Sequence, residues 1–123
     1  MDSLATAREV FDIEIEALTH LRNNLGDEFI ALAEKCHEIL NNGGKLVLTG
    51  IGKSGYIAQK IAATLSSVGS TAIFVHPVEA LHGDLGVICQ KDMLMTSSYS
   101  GESDEVLAVF PGAERLGVFM VAI

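Results

Sequence analysis

Apolar side chains recur along the first forty residues at spacings of three and four. Val10, Ile13, Ala17 and Leu21 form one series, and Leu4, Phe11, Ile15 and Leu18 widen the stripe. That period predicts a helix, with Asp2 or Ser3 as its cap. Asn23-Asn24-Leu25-Gly26 interrupts it. Asp27 then opens a second helix through Phe29, Ile30, Ala33, Cys36 and Leu40. Asn41-Asn42-Gly43-Gly44 closes it, because Asn and Gly accept the positive φ of a helix end. Two helices are therefore expected over residues 3–42.

Beyond residue 44 the pattern changes. Lys45–Ile51 is a short continuous apolar run, as a strand buried on both faces requires. Glycines 50, 52 and 55 surround a turn, and residues 54–68 read as a helix ended by Gly69. Thr71–Val75 reads as a second strand and residues 77–88 as an irregular connection holding at most one helical turn. Asp92–Thr96 is a third strand, Ser97–Ser103 a loop of small residues, 104–116 a helix and Gly117–Ile123 a fourth strand. This alternation predicts an α/β fold with a doubly wound, mostly parallel sheet, preceded by two helices. No internal repeat or low-complexity linker is visible.

Composition narrows the class. The chain has 123 residues, 49% of them hydrophobic, which suits one folded domain with its own core. The longest apolar run falls short of the ~18 residues of a membrane-spanning helix. Asp2 and Glu9, with no early apolar block, do not read as a secretory signal. Cys36 and Cys89 form no metal-binding pair and are expected to be reduced, mostly buried thiols in a cytoplasmic protein. The net charge is −8, of which residues 1–42 carry −6. No basic stripe is present, so nucleic acid is not the expected partner. An anionic ligand remains compatible with the second part if backbone N–H groups and one or two lysines bind it locally.

Ligands of open parallel sheets bind outside the carboxyl ends of the strands. Three segments leave such ends here. Gly50-Ile51-Gly52-Lys53-Ser54-Gly55 offers a tight turn, with Ser54 at a helix N-terminus and Lys53 as a point charge. Its spacing is neither that of a P-loop nor that of a dinucleotide fingerprint, which argues against a plain nucleotide- or flavin-binding domain. Ser97–Glu105 places serine hydroxyls around Gly101, and hydroxyls both donate and accept, as a phosphate or sugar cradle needs. As an ordinary solvated loop it would use Ser103 only as a helix cap. His76–Gly86 carries His76, Glu79, His82 and Asp84. Pro77 and the short span argue against a preformed metal site, and histidines beside a sugar serve as hydrogen-bond or acid/base groups.

Together, Gly50–Thr64 (GIGKSGYIAQKIAAT), Phe74–Gly86 (FVHPVEALHGDLG) and Ser98–Glu105 (SYSGESDE) resemble the sugar isomerase (SIS) domain, and within it the arabinose-5-phosphate isomerases. The resemblance covers nearly all of residues 1–123 and implies an SIS-type three-layer αβα fold. It implies an aldose–ketose isomerase that interconverts D-arabinose 5-phosphate and D-ribulose 5-phosphate through an enediolate, for Kdo and lipopolysaccharide synthesis. Carried over residue by residue, it assigns Lys53, His82 and Glu105 to catalysis. Gly52, Ser54, Ser98, Ser100 and Ser103 fall to substrate phosphate. It implies no metal or other cofactor, a phosphosugar as the small-molecule partner, and a homo-oligomer, dimer or tetramer, without nucleic acid or membrane. Tyr99 stands where the family usually has Asn, and Val78 where Gly is common after His-Pro. The family's domain continues with further helices, a fifth strand, another catalytic glutamate and a histidine, and full-length members often add CBS domains. The chain is thus expected to be C-terminally incomplete and without CBS domains. The alternative is a non-catalytic phosphosugar-binding module of the same fold.

Overall fold

The computed structural model describes residues 2–123. Helix α1 (Ser3–Asn24) is capped by Asp2, whose carboxylate accepts the N–H groups of Leu4 at 3.1 Å and Ala5 at 3.2 Å. None of its residues is buried. Helix α2 (Asp27–Asn41) follows, with Asp27 and Glu28 in its first turn, where acidic side chains favour the helix dipole. The chain divides into two compact units, one ending at Glu34 and the other spanning Lys35–Ile123.

Within Lys35–Ile123, β1 (Leu46–Gly50), β2 (Ala72–Phe74), β3 (Met93–Ser97) and β4 (Phe119–Ala122) form one sheet. All pairings are parallel, in the order β2-β1-β3-β4. β1 is buried at every position, which is why its residues lack polar alternation. Successive side chains point to opposite faces. Val47, Val75 and Leu94 lie on one face, packed with Ala80, Val109, Ala113 and Val118. The other face carries Leu46, Leu48, Met93 and Met95. There α3 (Gly52–Ser67) crosses β1 and β2, burying Ala58 and Ala62. With helices on both faces, the architecture is a three-layer αβα sandwich. It has the expected doubly wound sheet.

Three local expectations need correction. Helix α3 starts at Gly52, not at Ser54. Gly52 makes the turn itself at φ +60°, and the Ile51 carbonyl already accepts the Gly55 N–H at 3.2 Å. The segment 104–116 is not one helix. It splits into α5 (Asp104–Leu107) and α6 (Phe110–Leu116), because Pro111 has no N–H to donate to the Leu107 carbonyl. The cysteines are less buried than expected: Cys36 is half-buried and Cys89 exposed. The connection after β2 contains the single turn α4 (Pro77–Leu81) and a 3₁₀ helix at Asp84–Val87.

Candidate functional site

The chain order reverses between β1 and β3, so the crevice beyond their carboxyl ends is the switch point where such sheets take ligands. Their last residues, Gly50 and Ser97, are paired in the ladder. Gly50 and Gly55 of the first loop are dictated by close approach. A Cβ on Gly55 would lie 2.6 Å from the Gly50 carbonyl oxygen, and one on Gly50 would lie 3.0 Å from the Ser97 carbonyl oxygen. The first turn of α3 is thereby held against the end of β1. Lys53 is exposed there and Ser54 half-buried.

The serine loop is braced from within. Ser98 Oγ accepts the Gly101 N–H at 3.0 Å, and Ser100 Oγ accepts the Glu102 N–H at 3.2 Å. Gly101 sits at φ +70°, a conformation that favours glycine. Each hydroxyl is used as an acceptor and keeps its O–H to donate, which suits an anion's oxygens. Ser103 occupies the N-cap position of α5, yet its hydroxyl makes no capping bond. A capping bond is what an ordinary solvated loop would use this serine for. The Ser98 N–H bonds the Ile123 carbonyl at 3.0 Å, tying the loop to the end of β4. Beneath it opens a cavity of about 220 Å³, lined by Thr96, Ser98, Gly101 and Ser103 on its polar side and by Val106, Leu107, Phe110, Ala122 and Ile123 on its apolar side.

The third loop supplies His82, the exposed C-cap of α4. Helices α4 and α5 are in contact, which brings the segment carrying His82 beside the one carrying Glu105. Glu105 is exposed in the first turn of α5. All eight residues singled out from the sequence thus lie on loops or first helical turns at one end of the sheet. Ser98 and Ser103 line the cavity; Gly52, Lys53, Ser54, His82, Ser100 and Glu105 stand outside its wall. Among the described residues, His76, Glu79 and His82 do not gather with one another or with other ligating side chains into a metal-binding group.

Two residues of this region were not singled out from the sequence. Thr49, one position before the first loop, is 1% exposed, and its hydroxyl has no hydrogen-bond partner among the described residues. Thr96, its partner in register on β3, donates to the Val121 carbonyl at 3.1 Å. A threonine ending a buried strand carries no sequence signal for this, since β-branched residues are ordinary there.

Residues 39–123 match the family model described as the SIS domain. The arabinose 5-phosphate isomerase GutQ of Escherichia coli O6:H1 (strain CFT073) is 44% identical over 120 residues, covering 98% of this chain and 36% of that protein. The arabinose 5-phosphate isomerase KdsD of Pseudomonas aeruginosa is 37% identical over 123 residues, covering 100% of this chain and 37% of that protein. Among solved structures, that of E. coli CFT073 c3406 in complex with A5P superposes with a TM-score of 0.88 at 34% identity, covering 99% of this chain and 65% of that one. The chain therefore spans little more than a third of the length of these curated relatives. No helix among the described residues is long and apolar enough to cross a membrane.

Proposed function

The chain belongs to the SIS domain family, and from that premise we propose that it forms the phosphosugar-binding part of an aldose–ketose isomerase acting on D-arabinose 5-phosphate and D-ribulose 5-phosphate. The observation that carries the reading is the switch-point pair: a glycine turn and a braced serine loop leave adjacent, paired strand ends. The sugar phosphate is held by the hydroxyls of Ser54, Ser98, Ser100 and Ser103 and by the turn at Gly52. Such hydroxyls and amides favour an anion without needing a basic surface, in keeping with a chain whose net charge is −8.

Isomerisation requires two proton movements. The C2 hydrogen leaves as a proton, an enediolate forms, and a proton is delivered to C1, while the O2 hydroxyl proton passes to O1. Glu105 is the carbon base and His82 the group that moves protons between oxygens. Lys53 has the role of stabilising the enediolate oxygen as negative charge develops. No cofactor is needed for this sequence of steps. Sugar phosphates are ionic and do not cross membranes unaided, so the reading places the protein in the cytoplasm, supplying Kdo and lipopolysaccharide synthesis.

The family reading also includes a homo-oligomer, and exposed apolar side chains support it. Leu4, Phe11, Ile13, Ile15, Leu18 and Leu21 of α1 are each more than half exposed. Surfaces of this kind are normally covered by protein. Sedimentation velocity is expected to show a dimer or tetramer, and a monomer at high concentration would refute this.

The central test mixes the protein with D-arabinose 5-phosphate, follows ribulose 5-phosphate, and measures binding by calorimetry. Binding is expected, and Ser98→Ala with Ser100→Ala should weaken it at least about tenfold with an unchanged circular dichroism spectrum. Binding without turnover assigns the chain the role of a binding module. Absence of both overturns the proposal.

A further inference from the structure

The connection after β2 carries two histidines, and the structure gives them different tasks. His76 is the N-cap of α4. Its carbonyl accepts the Ala80 N–H at 2.9 Å, and its ring Nδ1 accepts the Val78 N–H at 3.2 Å. Pro77 has no N–H, so Val78 is the first amide of this helix that needs an acceptor. At the other end, the Val78 carbonyl accepts the His82 N–H at 3.2 Å, joined by the Glu79 carbonyl at 3.0 Å. Val78 therefore binds the ring of one histidine through its N–H and the backbone of the other through its carbonyl.

We propose that His76 is a positioning residue for His82, acting as a neutral imidazole cap whose Nδ1 lone pair holds Val78 and through it the single turn that ends at His82. This rests on the reading of His82 as a site residue. A five-residue helix has too few internal bonds to fix its own geometry, so its cap matters more than that of a long helix. The bond at Nδ1 requires the ring proton on Nε2. The edge of the Phe74–His76 pair, T-shaped with centroids 6.5 Å apart, holds the ring from the β2 side. A protonated ring would turn an N–H toward the Val78 N–H and set positive charge at a helix N-terminus, both unfavourable. The other titratable groups of α4 and of the elements packed on it are Glu79 and His82 on α4 itself, Asp84 in the 3₁₀ helix, and Asp104 and Glu105 on α5. All are exposed.

The experiment compares wild type, His76→Asn and His76→Ala in the complete chain. Imidazole ¹⁵N NMR at pH 8 should show Nδ1 of His76 unprotonated, and His76→Ala should shift the His82 ring resonances. Calorimetry with D-arabinose 5-phosphate at pH 8 should show about fivefold weaker binding for His76→Ala and a change within about twofold for His76→Asn, whose amide oxygen caps the same N–H. An Nδ1–H tautomer, or His76→Ala with unmoved His82 resonances, overturns the proposal. Should wild type bind no arabinose 5-phosphate, the functional reading fails, while the tautomer and the His82 resonances still decide the positioning role.

Discussion

Asp92 offers the sharpest test of how this fold is held. It precedes β3, is 1% exposed, and collects four donors at the end of the sheet remote from the loops. Oδ1 accepts the Lys45 N–H at 3.0 Å. Oδ2 accepts the Lys45 ammonium, the Cys89 N–H at 2.8 Å and the Cys89 thiol at 3.3 Å. Burial pushes this carboxyl up, but the hydrogen bonds from Lys45 and Cys89 outweigh it and hold the group below its ordinary 3.8. Truncation to alanine strips a charged acceptor from two backbone N–H groups and from an ammonium. Bonds to charged acceptors contribute about 1.5–3 kcal/mol each, so Asp92→Ala should cost about 3–5 kcal/mol. Asp92→Asn should cost about 2–3 kcal/mol, because donors meet both oxygens and either orientation of the amide turns its NH₂ toward one of them. In thermal unfolding followed by circular dichroism, Asp92→Ala should lower the melting temperature by more than about 10 °C. The pH dependence has a definite sign. A carboxyl depressed in the folded state stabilises above its unfolded pKa, and that contribution disappears as pH falls from about 4 through the lower folded value. Wild type should thus lose stability in this window faster than Asp92→Asn. A loss below about 1 kcal/mol for Asp92→Ala, or parallel acid profiles, would refute the clamp.

Two other substitutions probe the site's scaffold. Gly55→Ala places a methyl 2.6 Å from the Gly50 carbonyl oxygen. It should cost about 1–3 kcal/mol by urea unfolding, and neutrality would mean that the first loop yields freely. Thr49→Val removes a buried hydroxyl without a partner and should raise stability by about 1 kcal/mol. A comparable loss would show that the hydroxyl is satisfied in solution.

What could be read in advance followed from locality. The strands expected at 45–51 and 92–96, and found at 46–50 and 93–97, announced themselves because central parallel strands lack polar alternation. The three loops could be placed at one end of the sheet because parallel strands share a direction. The break at Pro111 was also local, but the apolar period continues across it and masked the missing donor. The Asp92 clamp was out of reach: Lys45 lies 47 positions away, and an aspartate before a strand reads equally well as a solvated turn. The same holds for Cys89: free cysteines are usually buried, while the structure leaves it exposed and donating to Asp92. His76 carried several side-chain roles in sequence, and only the bond to Val78 selects among them.

The pairing of Gly50 with Ser97 has a consequence for how such a site diversifies. Neighbouring strands lie about 4.8 Å apart whatever their sequence, so the gauge between the two loop roots is set by backbone geometry alone. Exchanges within the loops, such as a tyrosine at position 99, therefore alter what is gripped without altering the spacing of the jaws. Selection or engineering can rewrite ligand preference here one side chain at a time, with the foundation left standing.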